Sequence, residues 1–127
     1  MGIESYKKIN VETSIEDATP LRIIQMLYQG AISKCFEAKG AIERKQYIFK
    51  SELISGVIAI VMELERSLDP THAPELSSNL ASLYNYIRET ALEANMENNA
   101  QKMEEIANLL LTLKEGWDNI KDPDEKN

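Results

Sequence analysis

The sequence predicts an all-α fold, an antiparallel up-down-up-down four-helix bundle with a short N-terminal arm or helical turn. Three observations predict it. Four stretches of about twenty residues repeat apolar side chains at steps of three or four, the spacing of one helix face. The joins between them are short, which folds each helix back along its predecessor. No stretch alternates apolar and polar residues between turn signals, so no strand is expected. The expected organisation is one helical domain over residues 1–127, with an arm at 1–18, the bundle at 19–121 and a mobile tail at 122–127.

Met1 to Ala18 is polar, with Ile3, Tyr6, Ile9, Val11 and Ile15 spread through it. Ile3, Tyr6 and Ile9 are spaced by three, which allows a short helical turn. Such a turn is too short to hold in water without a surface to rest on. The first long helix starts at Thr19-Pro20: a threonine caps free amides, and a proline at the first helical position gives up a donor that had no partner. Ile24, Leu27, Tyr28, Ala31, Cys35, Ala38 and Ile42 then mark one stripe, widened by Leu21, Ile23 and Ile32. The helix is expected to reach about Arg44, with Gly40 reflecting close packing. Lys45 and Gln46 form a tight join.

The second long helix is read from Tyr47 to about Ser67. Ile54, Val57, Val61, Leu64 and Leu68 are its seam, Leu53 and Ile60 one edge, and Ile58 and Met62 the other. Asp69-Pro70 stops it, because a residue before proline is pushed out of the helical region. The third begins near Ala73-Pro74-Glu75. Its narrower stripe is Leu76, Leu80, Leu83, Tyr84, Ile87, Ala91 and Ala94, with Tyr86 and Leu92 off it. Asn95 to Asn99 reads as a turn cluster, with Asn98 or Asn99 capping the next helix. The fourth runs from Ala100 to about Lys121 on Met103, Ile106, Leu110, Leu113 and Trp117.

A chain of 127 residues can bury a real core. Its charges, 14 basic against 21 acidic, leave a net −7. That balance repels phosphate backbones and anionic lipid, so no nucleic acid and no membrane insertion is expected. No leader peptide or spanning run is read, which suggests the cytosol.

Catalytic chemistry finds no support. The one histidine, His72, falls in a loop between two prolines, and the carboxylates fall on polar faces. The inward glutamates and Glu-x-x-His pairs of di-metal bundles are missing, so no metal site and no cofactor is expected. Cys35, the single cysteine, lies on an apolar stripe and reads as a small buried hydrophobe. No phosphate loop and no nucleophile–base constellation is present. The chain is expected not to be an enzyme.

What is left over is apolar surface. The first two long helices carry arcs wider than one seam needs, and Tyr86 lies off its stripe. Met26 falls on the polar side of its helix. This is the pattern of a groove for a partner helix, or of a slightly apolar surface.

Several local patterns coincide with a known family. Ala18-Thr19-Pro20, Leu21, Ile24 and Met26-Leu27-Tyr28-Gln29-Gly30-Ala31-Ile32 resemble the opening of the flagellin-specific export chaperones of bacterial flagella (FliS). The similarity continues through Leu68-Asp69, Asn79-Leu80, Leu83-Tyr84-Asn85-Tyr86-Ile87-Arg88, Glu93-Ala94-Asn95 and Leu110 to Trp117. The chain departs from the family pattern at Ala73-Pro74, Asn85 and Gln29, which alter surface polarity and leave the seams intact.

The resemblance implies a cytosolic, non-enzymatic chaperone that binds the disordered C-terminal segment of flagellin. It would prevent early polymerisation and deliver its client to the flagellar type III export gate. Edge positions chosen for flagellin binding are Ile23, Met26, Leu27, Leu53, Ile60 and Tyr86. Ile3 and Tyr6, with Ile9, fall where the family's arm docks on the gate protein, and the arm is expected to cover the groove when client is absent. The alternatives are a helical adaptor for another flagellar protein, or a self-associating structural bundle. A homodimer is a candidate state of the free chain.

Overall fold

The computed structural model describes residues 19–120. Four helices follow in order: α1 (Pro20–Glu43), α2 (Tyr47–Arg66), α3 (Pro74–Glu97) and α4 (Ala100–Asp118). Each packs on two others, α1 on α2 and α4, and α3 on α2 and α4, so the four close a ring around one core. The short joins alternate their directions. No strand occurs among the described residues.

Local chemistry sets the ends. Thr19 Oγ1 accepts from the Arg22 amide at 3.2 Å, with Pro20 next in line. Asn99 Oδ1 accepts from the Lys102 amide at 3.1 Å, and this asparagine is the cap of α4. The α1–α2 turn is tied by Gln46 N–H to the Ala41 carbonyl (2.8 Å) and Lys45 N–H to the Ile42 carbonyl (3.0 Å). This crossed pair requires a left-handed residue after the helix, usually glycine; here Lys45 takes it at φ 60°. Asn98 does the same after α3 at φ 52°, a conformation asparagine tolerates. The helix α3 therefore runs through Asn95 to Glu97, and the turn is only Asn98-Asn99. The sequence cluster Asn95–Asn99 predicts a turn, but Asn95 to Glu97 form the last helical turn. Helix α4 ends at Asp118, short of Lys121.

The core follows the stripes in outline. Leu27, Tyr28, Ala31, Cys35, Ala38 and Ile42 of α1 meet Ile54, Val57, Val61 and Leu64 of α2, all buried. On α3, Leu76 lies exposed at the first turn, while Ser77 and Thr90 are buried beside Leu80, Tyr84 and Ile87. Gly40 faces only the side chain of its own helix's Arg44. The close interhelical approach is at Gly56, where an added Cβ would lie 2.8 Å from the Lys34 side chain of α1.

The predicted arm residues Ile3, Tyr6 and Ile9, and the tail 122–127, lie outside the described residues.

Candidate partner-binding surface

The site is built from what the bundle leaves uncovered, and three seams decide this. The α1–α2 seam is closely packed. Ile23, Leu27 and Lys34 share the face of α1 turned to the strip Leu53, Gly56 and Ile60 on α2, and the Lys34 side chain lies over Gly56. Leu53 and Ile60 are consequently buried, at 6% and 4% exposure, and Leu27 with them. Ile23 and Met26 are half-buried at the outer margin of this seam. Thus the positions chosen from sequence on α1 and α2 do come together along one seam. Three of them, Leu27, Leu53 and Ile60, are interior to it in this conformation.

The α2–α3 seam is different. Ser51, Ile58, Met62 and Glu65 form one strip of α2, spaced by seven, four and three residues. Its two ends hold α3: Ser51 Oγ donates to Asn95 Oδ1 at 3.2 Å, and Glu65 meets Arg88. Between Arg88 and Asn95 on α3 sits Leu92, with Met96 beside it. Met62 is 42%, Leu92 54% and Met96 81% exposed. An apolar margin therefore runs along both sides of this seam, with half-buried Ile58 at its floor. It is bounded by polar ties at each end. Arg88 Nη2 donates to Glu65 Oε2 (3.1 Å) and Asn85 Oδ1 (3.2 Å). Its Nε lies 2.7 Å from Glu65 Oε1 without a directed hydrogen bond, so that contact is an ion pair.

The α3–α4 seam carries Tyr86. Its ring is 44% exposed, and its hydroxyl donates to Glu105 Oε2 at 2.5 Å. That bond raises the tyrosine's pKa, because ionising it would set a phenolate against a carboxylate. Lys102 of α4 reaches Glu93 and Glu97 of α3, both at 3.1 Å.

Inside the bundle a polar chain crosses the core. Trp117 Nε1 donates to Tyr28 Oη at 3.1 Å, and the Tyr28 and Tyr84 hydroxyls share a hydrogen bond of 2.5 Å. Burial raises the pKa of both tyrosines. Joining α4, α1 and α3, this chain satisfies the polar ends of aromatic rings whose bodies fill the core. It orders the bundle and offers nothing to a substrate. Cys35 is fully buried and its thiol is pushed up to about 12, so it is inert at neutral pH. His72 is an exposed loop residue, its Nδ1 2.7 Å from Asp69 Oδ2. Among the described residues no cluster of His, Cys, Asp and Glu could hold a metal ion. No described helix is long and apolar enough to cross a membrane.

Two signals in the sequence point to the α2–α3 margin. Ile58 and Met62 are an apolar edge of α2, and Leu92 with Met96 are an i, i+4 pair off the α3 stripe. Neither signal says that the two edges adjoin, because that depends on the rotation of α3 about its axis. Phe36, Ile48 and Phe49, also exposed, lie off this seam.

The chain was compared with known proteins. A family model described as "Flagellar protein FliS" matches residues 2–124. The flagellar secretion chaperone FliSB of Pseudomonas aeruginosa is 38% identical over 119 residues, 94% of each chain. The flagellar secretion chaperone FliS of Salmonella typhimurium is 35% identical over 120 residues, 94% of this chain and 89% of that one. The protein of the same name in Bacillus subtilis is 26% identical over 117 residues, 92% and 86% of the two chains.

Proposed function

This chain belongs to the FliS family of flagellar secretion chaperones, which are not enzymes, and we propose that its client is the C-terminal segment of flagellin. In this reading the chaperone binds that disordered segment in the cytosol, keeps it from polymerising early and passes it to the export gate protein. No nucleotide or other cofactor takes part. The observation that carries the reading is the family match along nearly the whole chain.

The geometry supports it. A disordered client that folds on binding needs a long apolar track, because coupled folding typically buries about 1,000–3,000 Å² and costs several kcal/mol in ordering. We place an amphipathic client helix on Ile58, Met62, Leu92 and Met96, with Ile23, Met26 and Tyr86 meeting further turns of a wrapping segment. Leu27, Leu53 and Ile60 then act from beneath, as the interior that holds these edges in place. Ile3, Tyr6 and Ile9 dock the loaded chaperone on the gate.

Gel filtration with and without a flagellin C-terminal peptide tests the reading. A stoichiometric complex is expected. A stable dimer indifferent to the peptide would sink it and favour a self-associating bundle. Met62→Asp and Leu92→Asp change exposed positions, so they are expected to keep full helicity and weaken the peptide at least about tenfold, ~1.4 kcal/mol. Unchanged affinity would move the client off this seam. Ile3→Ala with Tyr6→Ala is expected to spare peptide binding and abolish gate docking; intact docking would remove the role given to the arm.

A further inference from the structure

We infer that the C-terminal half of α3, Glu89 to Glu97, is a latch that opens locally while the rest of the bundle stays folded, and that the client enters through it. The client clause rests on the flagellin reading above; the latch does not.

This segment contributes no large apolar side chain to the core. Its buried residues are Thr90, Ala91 and Ala94, and its large ones, Leu92 and Met96, point outward. What holds it is polar. Lys50 of α2, only 4% exposed, donates from Nζ to the Asn95 carbonyl at 2.9 Å, where a cation also suits the negative end of the helix. Ser51 holds the Asn95 side chain, and Lys102 forks between Glu93 and Glu97. Each of these groups regains water when the segment leaves, so breaking the polar ties forfeits little, and the main cost of opening is the apolar α2 face that it exposes. The last turns of α1 differ, since there Ala38, Ala41 and Ile42 are all buried and apolar. Below the latch, Tyr84 and Arg88 keep the first half of α3 anchored to Tyr28 and Glu65. Above it, Asn98 is a left-handed pivot. Departure of the segment would uncover the α2 face bearing Ile54, Ile58 and Val61, an apolar floor continuous with the exposed margin.

Native-state hydrogen exchange on the full chain tests the latch. Amides of 92–97 are expected to be protected at least about tenfold less than those of 38–43, an equally terminal stretch of α1. Equal protection would overturn the proposal. Lys50→Met is expected to lower protection over 89–97 further and leave 38–43 unchanged; unchanged or higher protection over 89–97 would also overturn it.

For the client, Ser51→Cys and Asn95→Cys are combined with Cys35→Ala to lock the segment by a disulfide. The oxidised form should bind the flagellin peptide at least about tenfold more weakly than the same protein after reduction. Equal binding in the two forms would overturn entry through the latch. If neither form binds while 92–97 still exchanges fast, the flagellin reading fails and the latch stands.

Discussion

Helices α1 and α3 have the same length, 24 residues, and both carry a proline in the first turn. They are nevertheless held by different forces. Helix α1 is buried from Leu27 to Ile42 by Leu27, Ala31, Ile32, Cys35, Ala38 and Ile42, and packs on both neighbours. Helix α3 buries large apolar side chains only as far as Ile87; beyond it the buried apolar residues are Ala91 and Ala94, and hydrogen bonds and ion pairs add to their hold. Apolar burial is hard to reverse because each methylene returned to water costs about 0.8 kcal/mol. A polar tie exchanges readily with water and nets about 1 kcal/mol. Two helices of equal length in one bundle can therefore differ greatly in how easily they leave it. A chaperone gains from this if one wall is fixed and the other can yield.

Substitutions in the two helices and their seams test this difference. The largest effect is expected at Ile60→Asp. It puts an unpaired charge into the α1–α2 seam and should abolish the cooperative helical signal in circular dichroism, while Ile23→Asp at the outer margin keeps it. A folded Ile60→Asp variant would mean that the seam opens as easily as its neighbour.

Leu27→Ala on α1 and Leu92→Ala on α3 remove the same atoms from opposite settings. Urea unfolding should show a loss of about 2–5 kcal/mol for the first and under about 0.5 for the second. Similar losses would erase the distinction between the helices.

Alkaline pH probes α1 from within. The Cys35 thiol ordinarily ionises near 9 and is raised to about 12 by burial. In that window the unfolded chain loses a proton that the folded chain keeps. Stability conferred by the neutral thiol is thus full below pH 9 and falls by about 1.4 kcal/mol per pH unit above it. Cys35→Ala should flatten the decline of urea stability between pH 9 and 12; an unchanged slope would mean that Cys35 is solvated. A smaller effect than that of Leu27→Ala is expected at Tyr84→Phe. It removes the hydroxyl tying α3 to α1 and should cost about 1–2 kcal/mol in urea, with exchange quickened along the first half of α3.

Much of the fold was legible in the sequence because helix periodicity and end chemistry are local. Thr19-Pro20, the Lys45-Gln46 join and the Asn99 cap each act within a few residues, and the four stripes follow from spacing alone. The end of α3 was less legible. Asn95 lies in a turn-like cluster, yet Lys50, 45 residues away, binds its carbonyl and keeps it helical. The surface was read only in part. Ile23 and Met26 are half-buried, while Leu27, Leu53 and Ile60 are interior, because the covering of an edge depends on the neighbouring helices and not on the width of its own stripe.

Four amphipathic helices, their antiparallel order and the family pattern are legible from residue order alone. All of these rest on neighbours within a turn or two, or on motif spacing. The tertiary structure decided which apolar edges are covered. The outward margin of Ile58, Met62, Leu92 and Met96, and the polar hold on the end of α3, depend on how far each helix is rotated about its axis. That rotation is set by all four helices packing at once, with the Tyr28–Tyr84 bond tying α1 to α3 across the core, and no single helix encodes it.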